Sequence, residues 1–140
     1  MPTKGISKRI YLMGPKEPAN LERIGNGFLP EGTEYFFHDY NKTEQSMQRI
    51  SQKLESIGVL HVYESWKLMR PLASRKDLWA PAILWENGGI MVDSKFNFEA
   101  PSTEWIDWEN DEMIQIIDSY PSATCTGIEA FTQYHPLLVE

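Results

Sequence analysis

Residues 74–96 read Ser-Arg-Lys-Asp-Leu-Trp-Ala-Pro-Ala-Ile-Leu-Trp-Glu-Asn-Gly-Gly-Ile-Met-Val-Asp-Ser-Lys-Phe, and this stretch decides the fold. Its first half is helix-like and stops at Asn87-Gly88-Gly89, because glycine ends helices and permits tight turns. The short apolar run 90–92 predicts a buried strand with one carboxylate, Asp93, at its C-terminal end. A helix, a tight turn and a buried strand indicate an α/β sheet with a ligand site at the strand end.

The composition is that of one folded domain covering residues 1–140. The hydrophobic fraction is 41%, and the net charge of −7 argues against a general nucleic-acid surface, which needs clustered cations. The single Cys125 excludes an intramolecular disulfide. We expect no signal peptide and no membrane span, since no run approaches the roughly 20 apolar residues that a span needs. A cytoplasmic location is therefore the default expectation.

Apolar runs separated by turn residues predict the other strands of the sheet. The near-continuous run Arg9–Met13 suits a strand that is buried on both faces and paired in parallel. An aromatic and β-branched segment predicts a second strand over 33–40. The full set of predicted strands is 9–13, 33–40, 90–92, 113–117 and 122–126, followed by a helix or turn at 127–131.

Helical periodicity predicts two main helices. Asn41 and Glu44 have the spacing of a capping box, and apolar residues then recur at three- and four-residue steps, so we expect a helix over 42–57. A second helix is predicted over 71–86. Proline has no amide hydrogen to donate, so we expect a kink or break at Pro81.

Three strand-end or loop positions allow two interpretations each. Residues 11–14 lie where a nucleotide base would bind in an open α/β sheet, but Tyr11 and Leu12 are equally well explained as core. His38 with Asp39 suggests a metal site, although a capped strand end is the more common explanation. The tryptophans at 105 and 108 suggest a sugar-stacking surface, or else a loop anchored on the core.

The stretch 74–96 also resembles a known family. Its motif residues fall, without a gap, at the offsets found in sugar-nucleotide glycosyltransferases with a DxD motif, which include yeast-type initiating mannosyltransferases and large clostridial glucosylating toxins. A later segment, 127–138, resembles the family's "I-N-x-A-F … H-P-L-L" pattern. The matching motif residues are Arg75, Asp77, Leu78, Leu84, Gly88, Gly89 and Asp93.

The resemblance implies a GT-A-like, Rossmann-like mixed sheet flanked by helices, and transfer of a sugar from a UDP- or GDP-sugar to a glycan or other acceptor. It implies that Asp77 binds donor sugar hydroxyls, that Asp93 holds a metal or the ribose, and that Arg75 or Lys95 meets the diphosphate. The implied metal is Mn²⁺ or Mg²⁺, which favour oxygen ligands. The remaining implied donor-binding residues are Tyr11, Leu12, Met13, Gly88, Gly89 and Ser94.

The chain departs from the family pattern at four positions. Ala80 replaces an arginine that helps to hold the donor, Pro81 follows it, Lys95 replaces the second Asp of DxD, and Glu129 replaces an asparagine. Lys95 weakens the case for a metal, because a protonated amine is no ligand. An inactive nucleotide-sugar binding module is therefore the alternative. A nucleotidyltransferase-like enzyme is disfavoured, because no glycine-rich basic loop follows the first strand. We expect the chain to lack a full acceptor subdomain.

Overall fold

The computed structural model describes residues 5–15, 29–70, 74–92, 102–104, 106–117 and 124–139. These residues form five strands, three α-helices and two short 3₁₀ turns at Ser102–Glu104 and Pro136–Val139. None of the helices described is long and apolar enough to cross a membrane. The strands are β1 (Arg9–Met13), β2 (Glu34–His38), β3 (Gly89–Val92), β4 (Met113–Ile117) and β5 (Thr124–Phe131); the helices are α1 (Tyr40–Glu55), α2 (Val62–Leu68) and α3 (Arg75–Asn87).

The five strands form one mixed sheet in the order β2-β1-β3-β5-β4. Strand β1 pairs in parallel with both β2 and β3, whereas β5 pairs antiparallel with β3 and β4. In this register Tyr11 lies beside Phe36 on one side and Met91 on the other. The α/β architecture and the strands predicted at 9–13, 90–92 and 113–117 are confirmed.

The order of the strands reverses between β1 and β3. The strand that follows β1 in the chain, β2, lies on one side of β1, whereas β4 and β5, which follow β3, lie on the opposite side of β3. A crevice forms beyond the carboxyl ends of two neighbouring parallel strands when their connections lead in opposite directions. The sheet therefore has one such switch point, beyond Met13 and Val92.

Helix α1 starts two residues earlier than its sequence predicted. Asp39, rather than Asn41, is the N-cap, because its Oδ1 accepts the Lys42 backbone N–H at 2.8 Å. The helix ends at Glu55 rather than Ile57. Its apolar periodicity is as expected, and its buried face includes Met47, Ile50 and Leu54.

Helix α3 is continuous from Arg75 to Asn87, so of the predicted kink or break near Pro81 the break is wrong, and a kink stays a prediction. An interior proline costs about 3 kcal/mol of helix stability, largely through one missing hydrogen bond. Tertiary burial on both sides of Pro81 offsets this cost, since Trp79, Leu84 and most residues between them have less than a tenth of their surface exposed. The predicted helix or turn at 127–131 is also wrong: this segment belongs to β5, which is paired along both of its edges.

Side chains from the two faces of the sheet enter two separate cores. On one face Tyr11, Met91 and Phe131 pack against the three α-helices. On the other face Ile10 and Ile90, with their neighbours on the sheet, pack against residues that include Ile106 and Trp108. Because all three α-helices contribute to the first core, that side of the sheet carries the helical layer.

Glu86 ties α1 to α3 from within this helical layer. Its carboxylate is only 5% exposed and accepts two hydrogen bonds from Arg49, at 2.7 and 2.9 Å, and one from Lys53 at 2.8 Å. Burial by itself raises the pKa of a carboxyl, but the hydrogen bonds from Arg49, Lys53 and Asn87 outweigh it and lower the pKa of Glu86 to about 2. The carboxylate is therefore ionised, and it fixes the two helices together.

We expect Glu86→Gln to lower the free energy of unfolding by about 2 kcal/mol at neutral pH. This lies below the usual 3–5 kcal/mol for a broken buried pair, because Arg49 and Lys53 are half exposed and regain water. Because folding lowers the pKa of Glu86, its contribution to the free energy of unfolding is complete above about pH 4.5. This contribution is lost as the pH falls toward about 2. Urea unfolding from neutral to acidic pH measures both effects.

The matched control is Glu55→Gln, at the exposed last residue of α1. It removes the same charge from the same helix layer without touching Arg49 or Lys53. A loss of stability in Glu55→Gln equal to that in Glu86→Gln would contradict the role assigned to Glu86.

Candidate functional site

The candidate site is the sheet edge where β1, β2 and β3 end together. These strands are mutually parallel, so Met13, His38 and Val92 lie along one edge. Helix α3 precedes β3 in the chain. It runs over the sheet toward the opposite edge and leads through Gly88 into the amino end of β3. Its first turn therefore reaches the carboxyl ends of the strands.

Asp77 lies in that first turn and its side chain is exposed. It is close enough to Glu129 on β5 to raise the pKa of the Glu129 carboxyl by charge repulsion. Glu129 is paired with Met91, near the carboxyl end of β3. The charge of Asp77 thus acts on a residue paired with β3, and the predicted role of Asp77 in donor binding stays a prediction.

Glu129 is the site residue that sequence reasoning missed. It appeared only as a departure from the family's asparagine. In the register of β5 it stands beside Met91, whose side chain enters the core beneath the helices. Burial is the largest cause of its raised pKa, followed by repulsion from Asp77, while Lys76 acts in the opposite direction. Two carboxyls, one exposed and one half-buried, are therefore near enough to influence each other electrostatically.

The predicted base-pocket residues divide between core and edge. Tyr11 and Leu12 are each 3% exposed and their side chains enter the cores on opposite faces of the sheet. This placement fits the interpretation that both are core residues. Met13 is partly buried at the carboxyl end of β1, so it is the residue of this group that borders the edge.

The guanidinium of Arg75 is engaged within the helical layer. Its Nη2 donates to the Lys67 carbonyl at 2.7 Å, and the group lies over the Trp66 ring at 4.7 Å from the ring centre. The Trp66 indole N–H in turn donates to the Arg75 carbonyl at 3.2 Å. These contacts join α2 to the start of α3, and the predicted contact of Arg75 with a diphosphate stays a prediction.

Gly88 and Gly89 lie at the amino end of β3, about 10 Å along the strand from its carboxyl end. Both have positive φ, 69° and 124°. A Cβ on Gly89 would stand 2.6 Å from the Arg9 carbonyl oxygen, and one on Gly88 would stand 2.8 Å from the Gln133 amide nitrogen. The structure gives both glycines a backbone role, a tight turn with close chain approach, and their proposed donor contact remains untested.

Asp93, Ser94 and Lys95 lie outside the described residues. The predicted metal ligand and the predicted diphosphate contact on this loop therefore stay predictions. Among the residues that the structure describes, no group of three or more His, Cys, Asp or Glu side chains is arranged to hold a metal ion. Asp77 and Glu129 are the two acids that the described edge brings near each other.

The other two ambiguous positions have structural explanations. Asp39 caps α1, which accounts for the acid beside His38. Trp108 is 8% exposed in the core opposite the helices, so it anchors its loop; Trp105 lies outside the described residues. The nearby Asp107 accepts the backbone N–H groups of Glu109 and Asn110, at 3.1 and 3.2 Å.

A cluster of aromatic side chains packs next to the carboxyl edge of the sheet. Tyr11 and Phe36 are stacked with ring centres 5.2 Å apart, and the rings of His38 and Trp79 are also 5.2 Å apart. Trp79 is fully buried, and its indole N–H makes no hydrogen bond in the described part of the chain. The cluster packs the start of α3 against the ends of β1 and β2, so the position of Asp77 depends on it.

Gly89→Ala should destabilise the protein by about 1–3 kcal/mol more than Gly58→Ala. Both glycines have positive φ and share a backbone strain of about 1–3 kcal/mol on substitution. Only Gly89 faces a backbone atom, whereas a Cβ at Gly58 meets nothing within 4 Å; overpacking adds about 1–3 kcal/mol. Denaturant unfolding of the two variants measures the difference, and equal losses would contradict the close approach.

Glu129→Gln should stabilise the protein near neutral pH and have little effect in acid. A carboxyl whose pKa is raised by folding binds its proton more tightly in the folded state, so it penalises folding once the pH exceeds its unfolded pKa. Thermal unfolding at several pH values measures this gain. The exposed Glu104→Gln is the control and should shift stability by less than about 0.5 kcal/mol.

A second measurement tests the pairing with Asp77. In Asp77→Asn the pKa of Glu129, followed by NMR, should fall toward the ordinary carboxyl range, because a repelling negative charge is gone. An unchanged Glu129 pKa would show that the two carboxyls do not interact.

Comparison with known proteins assigns no family to the chain. No protein-family model, no curated protein and no solved structure matches it. The resemblance to DxD glycosyltransferases therefore rests on the motif residues of 74–96 and 127–138. Any functional conclusion must come from those residues together with the geometry of the carboxyl edge.

Proposed function

We propose that the chain binds a nucleotide-diphosphate sugar in the crevice beyond the carboxyl ends of β1 and β3, and that it transfers the sugar to a glycan or other acceptor. The observation that carries this proposal is the reversal of strand order between β1 and β3. Such a reversal is where open α/β sheets bind nucleotides. The helix bearing Asp77 packs on the same edge, which supports a donor site there.

In this proposal each polar group has one task. The exposed Asp77 accepts hydrogen bonds from donor sugar hydroxyls, and Glu129 lies behind it as a second, half-buried acid. Asp93 follows β3 directly in the sequence, and Lys95 is assigned to the diphosphate. Together they would bind and orient the donor.

The oxygen ligands at this edge are of the kind that Mn²⁺ and Mg²⁺ prefer. Asp93 is the proposed ligand, and Asp77 is an exposed carboxylate on the helix that leads into β3. A divalent metal bound there would neutralise the charge that develops on the leaving diphosphate. Lys95, when protonated, meets the same need without a metal.

One observation favours a second candidate, a nucleotide-sugar binding module without transferase activity. Ala80 stands where the family has a donor-holding arginine, and it is only 7% exposed within the core under the helices. The position faces apolar neighbours rather than the crevice. A chain with this packing keeps the scaffold of the donor site but has lost one of its cations.

The first test is a thermal-shift series of the full chain with UDP- and GDP-sugars, with and without Mn²⁺. A donor at 100 times its dissociation constant should stabilise the protein by about 2.7 kcal/mol. Release of UDP or GDP in the presence of acceptors separates the two candidates: stabilisation with release supports a transferase, and stabilisation without release supports the binding module. No stabilisation by any nucleotide sugar would overturn both.

Variants at the edge assign the roles. Asp93→Asn should abolish the metal-dependent part of donor binding, whereas Lys95→Ala should weaken diphosphate binding with and without metal. Asp77→Asn should weaken the binding of nucleotide sugars but not of the nucleoside diphosphate, because Asp77 contacts the sugar. Titration calorimetry measures all three, and affinities equal to that of the unmodified chain would show that the donor binds elsewhere.

A further inference from the structure

A polar groove of about 370 Å³ lies between β2 and α1, one strand away from the switch point. Its volume falls within the range of about 300–1,000 Å³ that is usual for small-molecule sites. One wall is β2, which ends at His38. The other wall is α1, through Lys42, Gln45, Ser46 and Arg49.

The four α1 residues form one polar stripe along the helix. Their spacing of three, four and seven positions puts them on the same face. The neighbouring stripe, which includes Met47 and Ile50, is fully buried in the core. On the α1 wall, Ser46 is buried and donates to the Lys42 carbonyl, whereas Lys42, Gln45 and Arg49 are exposed, so these three side chains can reach a ligand.

Two cations and a side-chain amide line this groove. Within the part of the chain that the structure describes, neither the Lys42 ammonium nor the Gln45 amide has a hydrogen-bond or ion-pair partner. Arg49 gives Nε and Nη2 to Glu86 but keeps Nη1 available. The chain has a net charge of −7 and as a whole repels anions. The cations and amide of this groove therefore make it a local exception where an anion can bind.

Nearby acids do not cancel the positive charge. Glu86 is shared by two cations, Arg49 and Lys53. No carboxylate is among the described residues that line the groove, and the nearby Asp39 carboxylate accepts the Lys42 backbone N–H. Among the described residues the Lys42 ammonium therefore has no paired carboxylate.

His38 adds a polar atom at the end of the groove. Its Nδ1 is buried without a hydrogen-bond partner among the described residues. Burial lowers the pKa of His38, and the nearby charge of Lys42 lowers it further; the adjacent Phe36 backbone and Asp39, which favour the charged form, do not offset these effects. The imidazole ring of His38 also packs against Tyr11 of β1 and Trp79 of α3, with ring centres 6.1 and 5.2 Å away.

We infer that this groove binds a compact phosphate-bearing small molecule, with Lys42 and Arg49 contacting the phosphate and Gln45 donating to a further oxygen. Lys42 and Arg49 lie about 10 Å apart along the helix axis, so their long side chains can converge between them. Two cations and an amide match a dianion with three acceptor oxygens better than a monocarboxylate. A nucleic acid is disfavoured by the net charge.

The cations of this groove are separate from the residues proposed for the donor site, although His38 lies on the same carboxyl edge. Lys42, Gln45 and Arg49 belong to α1 and line a groove beside β2, whereas the proposed donor site lies beyond β1 and β3. Asp77→Asn should therefore leave phosphate binding unchanged. A protein that binds phosphate but no nucleotide sugar would keep this inference and lose the proposed function.

The test is an NMR titration of the full chain with inorganic phosphate and, separately, with a hexose phosphate, at constant ionic strength set with chloride. Saturable shifts at residues lining the groove are expected. The pKa of His38 should rise on binding, because the bound anion offsets the charge of Lys42 and favours the imidazolium. Saturation by the hexose phosphate alone would assign the site to phosphomonoesters, and saturation by both would assign it to the phosphate group itself.

Lys42→Ala should weaken phosphate binding by about tenfold, the lower end expected for a charge-assisted hydrogen bond. The matched control is Lys8→Ala, which removes the same charge from an exposed residue just before the amino end of β1. It should leave affinity within about twofold, because Lys8 is not among the residues that line the groove and an exposed charge is screened by salt. Equal losses in both variants, shifts that never saturate, or an unchanged His38 pKa would overturn the inference.

Discussion

The structure depends on the two-sided pairing of β3. All four of its residues are buried, and the strand is held by parallel β1 on one edge and antiparallel β5 on the other. This arrangement requires Gly89, since any side chain there would meet the Arg9 backbone. Because α3 leads into β3 within one residue, fixing the strand also fixes the helix, and with it the position of Asp77.

Local patterns predicted what local interactions determine. The burial of Met47, Ile50 and Leu54 on α1 and the strands β1, β3 and β4 follow from hydrophobic periodicity. The first residues of β5 fall in the strand predicted over 122–126, but its continuation over 127–131 was missed, because the conformation there comes from pairing with residues far away in the chain. Glu129 was missed for the same reason: its neighbours, Asp77 and Met91, are distant in sequence, and only the folded sheet brings them together.

Glu86 and Glu129 show how partners decide what a shielded carboxyl does. Both lie between the sheet and the helical layer, and burial raises the pKa of each. Glu86 has Arg49, Lys53 and Asn87 as hydrogen-bond donors and stays ionised, so it serves stability. Glu129 has an acid as its neighbour, which costs stability. Groups kept in such unfavourable surroundings are candidates for function, which is why Glu129 draws attention to the carboxyl edge.

Charge balance at this edge separates the two candidate functions. A diphosphate leaving group needs nearby positive charge, but Arg75 is engaged by the Lys67 carbonyl and the Trp66 ring, and Ala80 offers none. The acids Asp77 and Glu129 make the described edge more negative still. A transferase must therefore obtain compensation from a metal, from Lys95 or from Lys76, whose charge acts on Glu129, whereas a binding module needs only enough to hold the ground state. More negative charge develops on the diphosphate in the transition state of transfer than is present in the bound donor. A transferase should therefore need a metal or one of these lysines for its rate, whereas a binding module has no transition state to stabilise.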